Sequence, residues 1–176
     1  EKMNLQSDLE TLQFAQQQEG RIQKEMTGIA AEDEEIGRLL HISGFGVITA
    51  MTVLAAIGEI ERFDTPKKLS SYSGLTPGLE QSGTKYREKG ITKEGRRELR
   101  WALVEAAQMA VKSDPLLKRR FDELQKRMHR NQAIVSIARH LLELVWYVLT
   151  RRQPYRGFTQ ERIAYKYLTW AWQMKD

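Results

Sequence analysis

Ser82 and Gly83 stand at the head of a crowd of cations. Lys85, Arg87, Lys89, Lys93, Arg96, Arg97 and Arg100 all fall within the segment LEQSGTKYREKGITKEGRRELR, residues 79–100. Guanidinium groups grip phosphate oxygens in pairs and stabilise the charge that develops in phosphoryl transfer. A serine hydroxyl is a weak nucleophile alone, but among such cations its alkoxide is stabilised and can be aimed at a phosphodiester. No Gly-x-Ser-x-Gly and no Asp or His at triad-like spacing accompanies Ser82, so nothing around it points to a hydrolase. On residue types alone Ser82 and Gly83 read first as turn formers in a phosphate-binding loop, and second as nucleophile and loop support. A helix expected from about Lys93, capped by Thr92, would carry Lys93, Arg96, Arg97 and Arg100 at i, i+3, i+4 and i+7. That spacing predicts one continuous cationic stripe.

A second constellation is Ile42-Ser43-Gly44-Phe45-Gly46, between two helical patterns. The glycines allow a tight turn, and the helix that follows opens with free N–H groups able to take a phosphate. This is the pattern of a helix-hairpin-helix, and equally of a Gly-capped turn that touches nothing. The three histidines (His41, His129 and His140) are scattered, so no metal site is predicted. The acidic run Glu32 to Glu35 is expected to face solvent. Trp101, Trp146, Trp170 and Trp172 lie in helical, largely apolar patterns, and core packing is expected for all four.

These groups need a frame. The 176 residues suffice for one modest core and an appended element. There is no cysteine, hence no disulfide framework and no thiolate chemistry. No apolar run is expected to reach the ~18 residues of a membrane span, and no membrane partner is expected. Residues 1–42 hold four basic and nine acidic side chains, against 24 and 14 in residues 43–176. A basic body behind an acidic arm points to a polyanion, foremost nucleic acid. Residues 1–40, with Leu5, Leu9, Leu12 and then Ile22, Met26, Ile29 and Ile36 at 3/4 spacing, predict a long helix or coiled-coil arm that pairs with a partner helix, in a homo-oligomer or elsewhere in a longer chain. Residues 41–176 predict a helical domain. Its expected helices are Val47–Ile57, one with Thr65 as cap, Pro66 first and Gly74 last, and one opened by Asp114 and Pro115. A core helix follows in AIVSIARHLLELVWYVLT, and a last helix over Ile163–Trp172. The segment 75–92, with Pro77, Gly78, Gly83 and Gly90, is expected to be irregular, with short strands possible. The fold class is mainly α.

The run ISGFGVITAMTVLAAIGEIERFDTPKKLSSYSGLTP, followed by QSGTKYREKGITKEGRRELRWALVEAA and later by AIVSIARHLLELVWYVLTRRQPY, resembles the C-terminal transposase domain of the bridge-RNA-guided serine transposases of bacterial insertion sequences, the insertion-sequence-110 and -1111 group. The resemblance spans about residues 40–156, and the order of its motifs is more specific than any one of them. It implies a DNA recombinase in which Ser82 attacks the DNA backbone and forms a phosphoserine link. Lys85, Arg87, Lys93, Arg96, Arg97 and Arg100 then become candidates for contacts to DNA or guide RNA, and Gly44 and Gly46 for the hairpin's backbone contact. The family's other half is a ribonuclease-H-like domain with four acidic ligands for a divalent metal, expected to be magnesium. No such domain is legible here, and the chain opens on Glu1, so a C-terminal portion of a longer cytoplasmic protein is expected, inactive alone and bound to the nucleoid when acting. Two departures stand out: Ser43 where the family usually has Pro, which is expected to loosen the hairpin, and Arg96 where Asn usually follows Gly95. The competing functions are a non-catalytic nucleic-acid-binding module and a helical oligomerisation element.

Overall fold

The computed structural model describes residues 2–82, 85–157 and 160–173. It is mainly α, as the sequence predicts. Helix α1 spans Lys2–Ala31, α2 Glu34–Leu39, α3 Val47–Ile57, α4 Pro66–Ser73, α5 Arg97–Ser113, α6 Pro115–Gln125, α7 Arg130–Arg151 and α8 Gln160–Gln173. A 3-10 turn, Ile60–Arg62, precedes α4, and two antiparallel strands, β1 (Pro77–Ser82) and β2 (Lys85–Ile91), form the one sheet among the described residues.

Helix α7 is the axis of the core. Its Ile137, Leu141, Leu142 and Val145 have no solvent exposure, and α2, α4, α5, α6 and the 3-10 turn all pack on it. By length and hydropathy α7 would suffice to cross a membrane, so the sequence does hold one such run among the described residues; half of that stretch is buried inside the fold as its core helix. Helix α5 lines the opposite side with small residues. Ala102, Ala106, Ala107 and Ala110 are buried there, and their short side chains let α3 and α7 approach its backbone closely.

Local chemistry sets most helix ends. Thr65 accepts from the Lys68 N–H at 3.3 Å, Pro66 opens α4, and Gly74 closes it at φ 68°. Asp114 caps α6 by accepting from the N–H groups of Leu116 (2.9 Å) and Leu117 (3.2 Å). Two boundaries differ from expectation. The arm is not one helix to residue 40: Asp33 accepts from the N–H groups of Glu35 and Ile36, which ends α1 and starts α2. The acidic run is therefore partly a helix cap, and Ile36 and Leu39 carry α2 into the core. Helix α5 begins at Arg97, not Lys93. The Thr92 N–H donates to the Thr76 carbonyl at 3.0 Å, closing the hairpin root, Lys93 holds a left-handed φ of 58° that no helix interior permits, and Arg96 takes the cap position. The stripe of four cations is thus broken, and of its members Arg97 and Arg100 are helical.

The tryptophans also divide. Trp170 is buried and Trp146 half-buried, with its indole N–H donating to the Phe63 carbonyl at 2.8 Å. Trp101 and Trp172 are 59% and 74% exposed, so core packing does not explain those two.

Candidate functional site

The strands pair in register from Pro77 with Ile91 to Ser82 with Lys85, with one irregularity between Pro77 and Gly78. Ser82 is thereby the last residue of β1, and Lys85 and Arg87 lie on β2; the side chains of these three, and Gly83 as a whole, fall outside the described residues. The Thr92 and Lys93 N–H groups donate to the carbonyls of Thr76 (3.0 Å) and Gly74 (3.3 Å). One terminal nitrogen of Arg100 donates to the Ser73 carbonyl at 3.2 Å and to the Lys93 carbonyl at 3.3 Å. Gly95 fits against the end of α4 so closely that a Cβ there would stand 2.2 Å from the Tyr72 carbonyl oxygen. Arg100, half-buried, thus ties α4, the loop and α5 together, and fewer of its donors remain for a phosphate than the sequence suggests.

Beside this root lies a group that the sequence reading did not single out. Arg62 stacks over the rings of Phe63 and Tyr72, 4.7 Å from each centroid, and those rings are themselves 5.1 Å apart. The Tyr72 hydroxyl donates to the Ala56 carbonyl at 3.1 Å and accepts from Arg96 Nε at 3.2 Å. The hydrogen bond from Arg96, with help from Arg62, holds the phenol below its ordinary pKa. Arg62 was invisible as a site residue because it meets Arg96 only after α4 turns the chain back. Lys93 and Arg97 are exposed nearby, so the structure gathers Lys93, Arg96, Arg97 and Arg100 at the hairpin root by a loop and a helix start.

The second constellation separates its two glycines. Gly44, at φ 83°, presses on α5, where an added Cβ would stand 2.0 Å from the Ala106 carbonyl oxygen. Gly46 is exposed, caps α3 with extended backbone and has nothing within 4 Å of where its Cβ would be. Close packing therefore accounts for Gly44, whereas Gly46 and the first turn of α3 are open to a ligand. Ser43 does not loosen the turn. Buried, it donates from Oγ to Asp114 Oδ2 at 2.5 Å and so bolts the hairpin to the cap of α6. Helix α8 closes this side, with Lys166 Nζ donating to the carbonyls of Leu40 (2.6 Å) and Ile42 (2.9 Å). Burial lowers the Lys166 pKa from 10.5 to about 8. A cavity of about 330 Å³ remains between α1, the start of α3 and α8, lined among others by Thr27, Gly46, Thr49, Lys166 and Trp170.

Among the described residues no group of three or more His, Asp or Glu side chains converges as a metal site.

The model of the transposase IS116/IS110/IS902 family matches residues 37–122, a stretch containing the glycine turn, the hairpin and its root. The transposase for insertion sequence element IS1111A of Coxiella burnetii is 31% identical over 144 residues, which are 78% of this chain and 39% of that protein. A probable family 20 transposase of Pseudomonas aeruginosa is 28% identical over 156 residues, 86% of this chain and 45% of the relative. The pilin gene-inverting protein of Moraxella bovis is 32% identical over 120 residues, 66% of this chain and 37% of its own length. The chain thus spans about two fifths of the length of these relatives.

Proposed function

We propose, from the premise that residues 37–122 are a transposase domain of the IS116/IS110/IS902 family, that this chain binds DNA and supplies the serine nucleophile for strand cleavage and transfer. The relatives include transposases and a gene-inverting protein, and both names describe rearrangement of DNA. The observation that carries the nucleophile is the position of Ser82 at the end of a two-stranded hairpin whose root is fastened to the core by Arg100 and Gly95 and flanked by Lys93, Arg96 and Arg97. Such a root can aim a hydroxyl while its cations neutralise a phosphate.

In the proposed reaction the Ser82 hydroxyl attacks a DNA phosphorus. A serine O–P bond forms, the P–O bond to the departing strand breaks, and the hydroxyl proton ends on the departing strand's hydroxyl. A strand hydroxyl then attacks the phosphoserine and regenerates Ser82. Lys85, Arg87 and Gly46 belong to this reading as nucleic-acid contacts and Gly83 as loop support. The metal chemistry is assigned to a ribonuclease-H-like half, a guide RNA to the basic surface beside DNA, and the place of action to the bacterial cytoplasm.

The test uses the complete transposase. Wild type forms a covalent protein–DNA adduct and transfers strands, and Ser82→Ala does neither while still binding DNA. Strand transfer at the normal rate by Ser82→Ala refutes the nucleophile. A second copy is the proposed partner of α1, whose Leu5, Leu9 and Leu12 are all at least half exposed; sedimentation showing a monomer at high concentration removes that part.

A further inference from the structure

Several described cations on the helices are already paired with carboxylates. Lys118, Arg119 and Arg139 each sit on a carboxylate one helical turn away, as does Lys68 on Asp64. Arg62 and Arg96 differ. Both are exposed, neither forms an ion pair among the described residues, and both meet Tyr72: Arg96 donates from Nε to its hydroxyl at 3.2 Å, and the Arg62 guanidinium sits 4.7 Å from its ring centroid. The carboxylate that acts on Arg96 is Glu98, two residues on in the first turn of α5.

Their geometry is fixed in advance. The Arg62 guanidinium carbon sits 4.7 Å from the centroids of both rings, which tilt 55° to one another, and this cation–π seat restricts the group while it stays exposed to solvent. Arg96 uses Nε on Tyr72, and its two terminal nitrogens make no hydrogen bond among the described residues. The platform beneath them is rigid: the Phe63 carbonyl is held by Trp146 of α7 and the Tyr72 hydroxyl by the Ala56 carbonyl. Two cations pinned near one phenol repel each other unless an anion lies between them. Ordering two flexible side chains beforehand also removes part of the entropy loss of binding.

We propose that Arg62 and Arg96, converging on Tyr72, form a phosphodiester clamp that grips the DNA backbone at the root of the β1–β2 hairpin. Arg62 lies outside the basic run, so the clamp extends the contact surface from α5 across α4 to the 3-10 turn. It rests on the reading of this chain as a DNA-binding transposase domain. DNA is the committed ligand because that reading makes a DNA strand the substrate beside Ser82.

The test measures affinity for a 30-base-pair duplex by fluorescence anisotropy between 50 and 200 mM salt. Each phosphate contact adds ~0.9 to the magnitude of the log K against log salt slope. Arg62→Gln and Arg96→Gln should each lower that magnitude by ~0.9, so that the fourfold rise in salt weakens each variant about 3.5-fold less than wild type. Arg62→Lys should restore the slope, since it keeps the charge, but not the full affinity, since it loses the planar fork. Arg119→Gln, which removes a charge already paired with Glu123, should leave the slope unchanged. Circular dichroism checks the fold, and if Arg62→Gln fails to fold, Arg62→Lys and Arg96→Gln decide. Slopes for Arg62→Gln and Arg96→Gln equal to that of a binding wild type overturn the clamp and leave the transposase-domain reading standing. A loss of slope on RNA but not on DNA overturns the DNA assignment. Absence of DNA binding by wild type overturns both.

Discussion

Replacing Gly44 by Ala should destabilise this protein severely, whereas the same change at Gly46 should leave stability nearly unchanged. At Gly44 two penalties combine. The φ of 83° is a left-handed conformation that costs an L side chain about 1–2 kcal/mol. The new methyl would also stand 2.0 Å from the Ala106 carbonyl oxygen and 2.9 Å from the Ala110 nitrogen. Those atoms are helix backbone and cannot rotate away, so α3 or α5 must shift, an overpacking cost of about 1–3 kcal/mol. Reduced freedom of the unfolded chain returns about 0.4–1 kcal/mol, which leaves a net loss of about 1–5 kcal/mol, against a total stability of about 5–15 kcal/mol for a domain. At Gly46 the backbone is extended and the space empty. Losing a glycine cap costs about as much as the unfolded-state gain, and the two effects cancel to within about 0.5 kcal/mol. Urea unfolding followed by circular dichroism reads both variants. A Gly44→Ala loss below 1 kcal/mol, or a Gly46→Ala loss as large as that of Gly44→Ala, would refute the division of labour between the two glycines.

Two further outcomes follow from buried polar groups. Ser43→Ala should lower stability by about 1.5–3 kcal/mol, the range for a hydrogen bond to a charged partner, because Asp114 Oδ2 loses its donor inside the fold; a loss under 0.5 kcal/mol in urea would show that the bond is dispensable. For Lys166, folding lowers the pKa from 10.5 to about 8 by burial. Below pH 8 both states carry the proton and the folded state bears the full desolvation; between pH 8 and 10.5 the folded amine has released it and the unfolded one has not, so stability contributed at this site rises with pH. Wild type should therefore gain on Lys166→Met from pH 7 to 10, and a constant difference would contradict the burial of this amine. His41, whose pKa is lowered by burial and then by Lys166, titrates below this window.

The sequence made local signals legible and pairings between distant segments illegible. Thr65-Pro66 and Asp114-Pro115 announced α4 and α6 because caps act within four residues. Val47–Ile57 was readable because a glycine stands at each end. The start of α5 differs from expectation: Thr92 has the side chain of a cap, yet it closes the hairpin root on Thr76 and the next residue, Lys93, turns left-handed, so the helix opens only at Arg97, and no pattern in residues 92–97 reveals that. Ser43 was judged against the residue usual at that place, while its true partner, Asp114, lies 71 residues away. The cations of residues 85–100 were evident as a set, and Arg62 was not, because its companions are two aromatic rings and an arginine 34 positions further on. Exposed Trp101 and Trp172 show that helical periodicity predicts a face without saying what covers it.

The anchoring of the hairpin has a mechanical consequence. Five residue steps of β1 separate Pro77 from Ser82, a reach of about 17 Å at strand rise. A tilt of 5° at the root would sweep the far end through about 1.5 Å over that length, and a misplacement of about 1 Å can slow an enzymatic step about 100-fold. The hairpin behaves as a boom, and its pointing accuracy is set where it is bolted down. Gly95, lodged against Tyr72, and Arg100, spanning Ser73 and Lys93, are that bearing. Whatever loosens it blurs the aim of the tip without touching the tip.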